Sequence, residues 1–256
     1  AENLKVISTF SVGFDHINIE IAKSRKIKIG YTPEVLTNAT AELTIGLILD
    51  VLRRISEGDR IVRNKKWNQI FGAYDYTGTE VSGKIIGIIG MGRIGREVAK
   101  KANGLGMKVI YHNRKPVSKR LERMLKAKYV SENIIYKNSD IISLHIPYNN
   151  NTHHLINSKI FKKMKNTAFL INTSRGKIVN EKHLVTALKT KQIQGVGMDV
   201  YEVEPIKKDN PLLKLENVVF APHVGSSTKE TRQKMSDITA KNLISGLEGK
   251  RLLYSV

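Results

Sequence analysis

The stretch "IIGIIGMGRIGREVAKK", residues 85–101, joins a β-branched run to a helical pattern through Gly90, Met91, Gly92, Arg93, Ile94 and Gly95. Closely spaced glycines that follow a buried-type strand and open a helix form a phosphate-binding arrangement. The first glycine permits the tight turn. The second lets a pyrophosphate approach the backbone, and the third lets the helix pack on the strand. Free N–H groups at the helix start then attract the phosphates. The local reading is a dinucleotide-binding turn with Gly90, Gly92, Arg93, Ile94 and Gly95 as its contacts.

One strand further on, such units normally carry an acidic residue that bonds the adenosine ribose. Here that place falls in "YHNRKP", at Asn113, with Arg114 and Lys115 following. Without the carboxylate, a 2′-phosphate meets no repulsion, and a guanidinium can grip it bidentately. The expectation is NADP(H) rather than NAD(H), held in part by Asn113, Arg114 and Lys115.

Working outward, short β-branched runs alternate with longer amphipathic segments. Strands are expected at 5–10, 26–31, 84–90, 108–113, 140–147, 167–173, 193–200 and 217–222. Helices are expected at 93–105, 181–190 and 228–248, and residues 41–63 read as one long helix. Near-continuous apolar strands alternating with helices predict an α/β fold whose parallel sheet is covered on both faces, a doubly wound Rossmann-type coenzyme domain.

The 256 residues include no cysteine, which removes disulfides, thiolate nucleophiles and Cys-ligated metals. The N-terminus lacks the pattern of a signal peptide, and no apolar run is long enough to span a bilayer. A cytoplasmic, non-membrane protein is the expectation. The formal charge of +20 would attract polyanions, yet the lysines are scattered and aromatics make up only 6% of the chain. Nucleic acid is therefore not an expected partner. His153 and His154 lack the helical i, i+4 spacing of a metal motif, and no metal site is expected.

Three later stretches each place a polar residue just beyond a strand: "INTSRGKIVN" (171–180), "MDVYEVEP" (198–205) and "APHVGSS" (221–227). In an open parallel sheet the ligand crevice lies at the carboxyl ends of the strands, so Arg175, Glu204 and His223 are candidates to converge there. Together they suit reduction of a 2-keto acid. Arg175 would hold the carboxylate and polarise the keto oxygen, and His223 would protonate that oxygen. Glu204 would orient the imidazole.

These stretches, with "FSVGFDHIN", "TPEVLTNATAE" and "GKIIGIIGMGRIGREVA", resemble the D-isomer-specific 2-hydroxyacid dehydrogenases over nearly the whole chain. Residues 210–250 look most like the glyoxylate/hydroxypyruvate reductases of eukaryotes. The resemblance implies that Arg175, Glu204 and His223 are catalytic and that the backbone at Val12 and Gly13 binds the substrate carboxylate. It implies that Thr40, Pro147, Ser174, Asp199 and Ser226 line the cofactor site. It further implies a homodimer formed through the 41–78 region. Residues 38–228 would be the coenzyme domain, and 1–37 with 229–256 part of a flavodoxin-like substrate domain.

In such proteins the substrate domain begins well before "NLKVISTF", so the expected substrate domain is incomplete here. The expected function is NADPH-dependent reduction of glyoxylate and hydroxypyruvate. The alternatives are reduction of another 2-keto acid, a corepressor-like dinucleotide sensor, or an inactive fragment.

Overall fold

The computed structural model describes residues 2–256. In chain order its elements are β1 (Val6–Ser8), α1 (Ile19–Ser24), β2 (Lys28–Gly30), α2 (Thr37–Arg53), α3 (Ile55–Arg63), β3 (Ile85–Ile89), α4 (Arg93–Gly104), β4 (Lys108–His112), α5 (Lys119–Met124) and β5 (Ala127–Tyr129). There follow α6 (Glu132–Asn138), β6 (Ile141–Leu144), α7 (Ser158–Phe161), β7 (Phe169–Asn172), α8 (Glu181–Lys189), β8 (Gly195–Met198), β9 (Val218–Phe220) and α9 (Lys229–Leu247). Two compact units result, Ala41–Val224 and the pair of segments Ala1–Thr40 and Gly225–Val256.

The larger unit carries a seven-stranded sheet in the order β5-β4-β3-β6-β7-β8-β9, with every neighbouring pair parallel. The strand order reverses on either side of β3, and ligands bind at such a switch point, outside the carboxyl ends of the strands. Alternate strand residues feed two cores. Ile89, Ile142, Leu144 and Leu170 pack with Ile135 and Tyr136 of α6, Phe161 of α7 and Leu184 of α8. Ile86, Ile88, Ile141 and Ile171 pack on the other face with Leu47, Ile48 and Leu52 of α2 and Val98 and Ala99 of α4. Both faces are thus covered, which is why these strands read as unbroken apolar runs.

The smaller unit holds the parallel pair β1-β2 with α1 and α9. Gly246 of α9 lies so close to β1 that an added Cβ would sit 2.5 Å from Val6. The buried Asn242 donates to the carbonyl of Tyr31 and accepts from the amide of Tyr254, tying α9 to both neighbouring segments.

Two expectations need correction. Residues 41–63 are not one helix, because Arg54 adopts a left-handed conformation (φ 57°) that separates α2 from α3. Its guanidinium pairs with Glu57 and lies 4.2 Å from the centre of the Tyr76 ring, while the Tyr76 hydroxyl donates to the Arg54 carbonyl. The Tyr76 contacts arrive from a distant segment and leave no trace in helical periodicity. The short strand β5 was also not expected. Its three residues, Ala127, Lys128 and Tyr129, alternate too briefly to stand out from a loop.

At Gly87 of β3, helix α6 and the residue that follows it come close to the sheet. An added Cβ would lie 2.1 Å from the hydroxyl of Ser139, which is buried and without a hydrogen-bond partner, and 2.9 Å from Ile135. Urea unfolding should therefore show Gly87→Ala destabilised by about 1–3 kcal/mol through overpacking. Adding Ser139→Gly should recover part of that loss, and strictly additive effects would refute the contact as the cause.

Candidate functional site

The glycine turn follows β3 and adopts the backbone expected of it. Gly90 has φ +101°, and an added Cβ there would lie 2.4 Å from the carbonyl oxygen of His145. At Gly95 the same atom would meet the Gly90 carbonyl at 2.1 Å, so the third glycine is required by the approach of α4 to the turn. Gly92 differs, since an added Cβ there meets nothing within 4 Å. That open position is the N-cap of α4, and no side chain caps the helix. An uncapped helix start beside open space fits a diphosphate. Arg93 is exposed and Ile94 half-buried at the same end.

The adjoining strand β4 ends beside the glycine turn. Gly90 donates to the carbonyl of His112, and the Asn113 side-chain oxygen accepts from the amide of Met91 at 2.7 Å. Asn113 is thus fastened to the glycine turn, with Arg114 and Lys115 exposed just beyond it.

Beyond β7, the oxygen of Asn172 accepts from the amide and hydroxyl of Ser174, and its nitrogen donates to the Arg175 carbonyl. The half-buried Arg175 guanidinium donates to the Ser174 carbonyl. Next in sequence, Gly176 is pressed against the backbone of Tyr201, where an added Cβ would lie 1.9 Å from the carbonyl. No side chain can occupy this position. The "SRG" and "DVYEVEP" loops interlock here.

Tyr201 is a node that the sequence did not advertise. Its amide donates to Glu204 at 2.9 Å, and its hydroxyl donates to the Ala221 carbonyl at 2.8 Å. Burial pushes the phenol far up from its usual range, so it stays protonated and serves as a donor. Glu204 and His223 are therefore tethered to one residue. The other carboxylate oxygen of Glu204 lies 2.6 Å from Nδ1 of His223. His223 itself is left-handed, with φ 54°. A non-glycine residue held there stores strain and needs support from its neighbours. Support comes from the Tyr201 bond to Ala221 on one side and from buried Asp199 on the other, which accepts from the Val224 amide at 2.7 Å.

A second brace lies behind the Glu204 loop. The amide of Glu202 donates to Glu181 at 2.6 Å, and the amide of Glu181 donates to Glu202 at 2.8 Å. Nε2 of His154 lies 3.0 Å from the same Glu202 carboxylate. The paired glutamates, some twenty positions apart, leave no local sequence signal.

The remaining expected residues sit as follows. Thr40 is buried and donates to the carbonyl of Gly225, beside half-buried Ser226, and all three belong to the smaller unit. Val12 and Gly13 are half-buried, and the Gly13 carbonyl accepts from the Ser11 hydroxyl. Pro147 is exposed, and its carbonyl accepts from Thr152.

A parallel sheet with a glycine turn at its switch point and a His–Glu pair at its carboxyl ends defines a dinucleotide-dependent oxidoreductase. Residues 45–225 match the family model "D-isomer specific 2-hydroxyacid dehydrogenase, NAD binding domain". A glyoxylate reductase of Thermofilum pendens is 46% identical, the match covering 98% of this chain and 74% of that protein. The crystal structure of a glyoxylate reductase from Paecilomyes thermophila is 37% identical with a TM-score of 0.90, covering 100% of this chain and 76% of that one. That of an NADPH-dependent glyoxylate/hydroxypyruvate reductase from Sinorhizobium meliloti, in complex with NADP and malonate, is 31% identical with a TM-score of 0.91, covering 100% and 78%. The chain belongs to the D-isomer-specific 2-hydroxyacid dehydrogenases, a family of NAD(P)-dependent dehydrogenases.

His145, which abuts Gly90 from the end of β6, gives this region a pH signature. Its ring bonds the Ser143 hydroxyl at 2.8 Å, and burial pushes it down to about 4. From roughly pH 6.5 down to about 4, the unfolded chain takes up this proton and the folded chain does not, so stability falls as pH falls. The contribution is on the order of 2–3 kcal/mol across that window. Chemical denaturation of His145→Asn should show a correspondingly shallower acid slope, and an unchanged slope would rule this histidine out as its source.

Proposed function

We propose that this chain catalyses the NADPH-dependent reduction of glyoxylate and hydroxypyruvate to glycolate and D-glycerate. The 2.6 Å contact between Glu204 and Nδ1 of His223 carries this reading. It leaves Nε2 as the ring atom available to a substrate. Glu204 accepts the Nδ1–H and fixes the orientation of the ring, so that Nε2 is the atom from which a proton passes to the keto oxygen. Arg175 pairs with the carboxylate of the 2-keto acid and polarises its carbonyl. Bound NADPH would supply the hydride that the keto carbon receives. The backbone of Val12 and Gly13 is part of the same proposal as a holder of the substrate carboxylate.

The larger unit is read as the coenzyme domain and the smaller one as part of the substrate domain. Gly90, Gly92, Arg93, Ile94 and Gly95 would hold the diphosphate. Thr40, Pro147, Ser174, Asp199 and Ser226 would line the remainder of the cofactor site. The preference for NADPH is supported by the missing ribose acid and by exposed Arg114 and Lys115. The Sinorhizobium relative, solved with NADP, supports it further.

A cytoplasmic homodimer completes the proposal. None of the α3 residues is buried, Ile55 and Val62 are each 57% exposed, and Ile70 is 91% exposed. Trp67, Phe71 and Tyr76 stack in succession along the same arm. An apolar surface of this kind favours association.

Two measurements test the chemistry. His223→Ala should lower kcat for glyoxylate by ~10²–10⁴ while NADPH binding is retained. An undiminished rate would assign the proton to another donor. Arg114→Ala should weaken NADPH but not NADH binding by roughly 10–150-fold, the value of a charge-assisted bidentate contact. Equal affinity of the parent chain for the two nucleotides would overturn the cofactor assignment.

A further inference from the structure

The loop Asn113–Val117, which displays Arg114 and Lys115, is fastened at both ends. At its start, the Asn113 side chain accepts from Met91 of the glycine turn, and the Tyr129 hydroxyl donates to the Asn113 carbonyl at 3.2 Å. At its end, the amide of Val117 donates to the hydroxyl of Tyr111 at 3.0 Å. Tyr111 is fully buried, and its hydroxyl donates in turn to Glu122 at 2.9 Å. Glu122, itself buried on α5, receives Lys119 at 2.7 Å on its other oxygen. The chain of bonds runs from the loop through a core phenol to a carboxylate one helix away.

Each member has a physical role. Tyr111 is the fourth residue of β4, so its position is set by the sheet and not by the loop. Burial pushes its phenol up to about 12, so the hydroxyl keeps its proton and both gives one bond and accepts another. The Lys119 and Tyr111 bonds hold the Glu122 carboxyl below the usual range, so it is anionic and directs the phenolic hydrogen toward itself. This leaves the phenol oxygen to accept from Val117. The negative charge beside a phosphate-seeking loop is offset by Lys119.

We infer that Tyr111 and Glu122 are positioning residues for coenzyme selectivity: they fix the 113–117 loop so that Arg114 and Lys115 stand ready for a 2′-phosphate. The inference rests on the NADPH reading above. A free five-residue loop would have to be ordered when the phosphate binds, at a cost in affinity that falls on NADPH and not on NADH. A loop held before binding avoids that cost.

Calorimetric titration of Tyr111→Phe with NADPH and with NADH tests this, because the variant removes only the bridging oxygen. The NADPH affinity should fall about three- to tenfold, the value of one or two hydrogen bonds, with NADH affinity unchanged. Glu122→Gln keeps an acceptor for the phenol and should hold most of the preference. Hydrogen exchange supplies a readout independent of any variant, since the Val117 amide of the parent chain should be protected. Equal losses for both nucleotides in Tyr111→Phe would mean a general structural role, and rapid exchange at Val117 would mean no clamp. Either result overturns the inference. A parent preference that Arg114→Ala abolishes and Tyr111→Phe leaves intact refutes the clamp alone. A parent chain with no NADPH preference refutes the cofactor reading and the clamp with it.

Discussion

The approach of Gly176 to the backbone of Tyr201 is the constraint on which the site depends. It brings the loop after β7 against the loop after β8 with no room for a side chain. Arg175 precedes the contact by one residue, and Glu204 follows it by three. Tyr201 then reaches across to the strand that leads to His223. Three polar residues from three strand ends are thus referred to one peptide unit. If these residues act as proposed, positioning of this kind would supply a large share of the rate, because reacting groups displaced by even an ångström lose much of it.

Rigidity at this contact is balanced by strain nearby. His223 holds a left-handed backbone that most residues avoid, and it is braced on both flanks by buried acceptors and donors. The imidazole is nonetheless half exposed, at 51%, and Glu204 is less so, at 34%. The pair is thus held by neighbouring hydrogen bonds while part of the imidazole stays exposed. The reciprocal bonds between Glu181 and Glu202 stiffen the same loop from the opposite side.

Much of this was legible in the sequence, and the reasons differ by element. The glycine turn is local: strand, turn and helix follow one another, so periodicity and three glycines identify it. The major strands were legible because burial on both faces makes them continuous apolar runs. The break at Arg54 was not, because a stacking contact from Tyr76 fixes it. β5 was too short to show a period. At the site, the candidates were visible as polar residues just past strand ends, but Tyr201 was not. Its work is done by an amide that points at a carboxylate oxygen 3 positions away and a hydroxyl that points at a backbone carbonyl 20 positions away, and no spacing rule encodes that. Glu122 was hidden for a related reason. A glutamate in a short helix reads as a solvated charge until a core tyrosine is found beneath it.

The outermost strand has a consequence for the molecule's colloidal behaviour. β5 ends the sheet after three residues, with exposed Lys128 at its middle and Lys126 directly before it. A sheet margin is a template for foreign strands, and proteins commonly blunt it by shortness and by lysine. Here both devices coincide, so an incoming strand would gain few backbone bonds while its own cations were repelled. Two of the chain's many lysines thus stand where they oppose pairing along this margin.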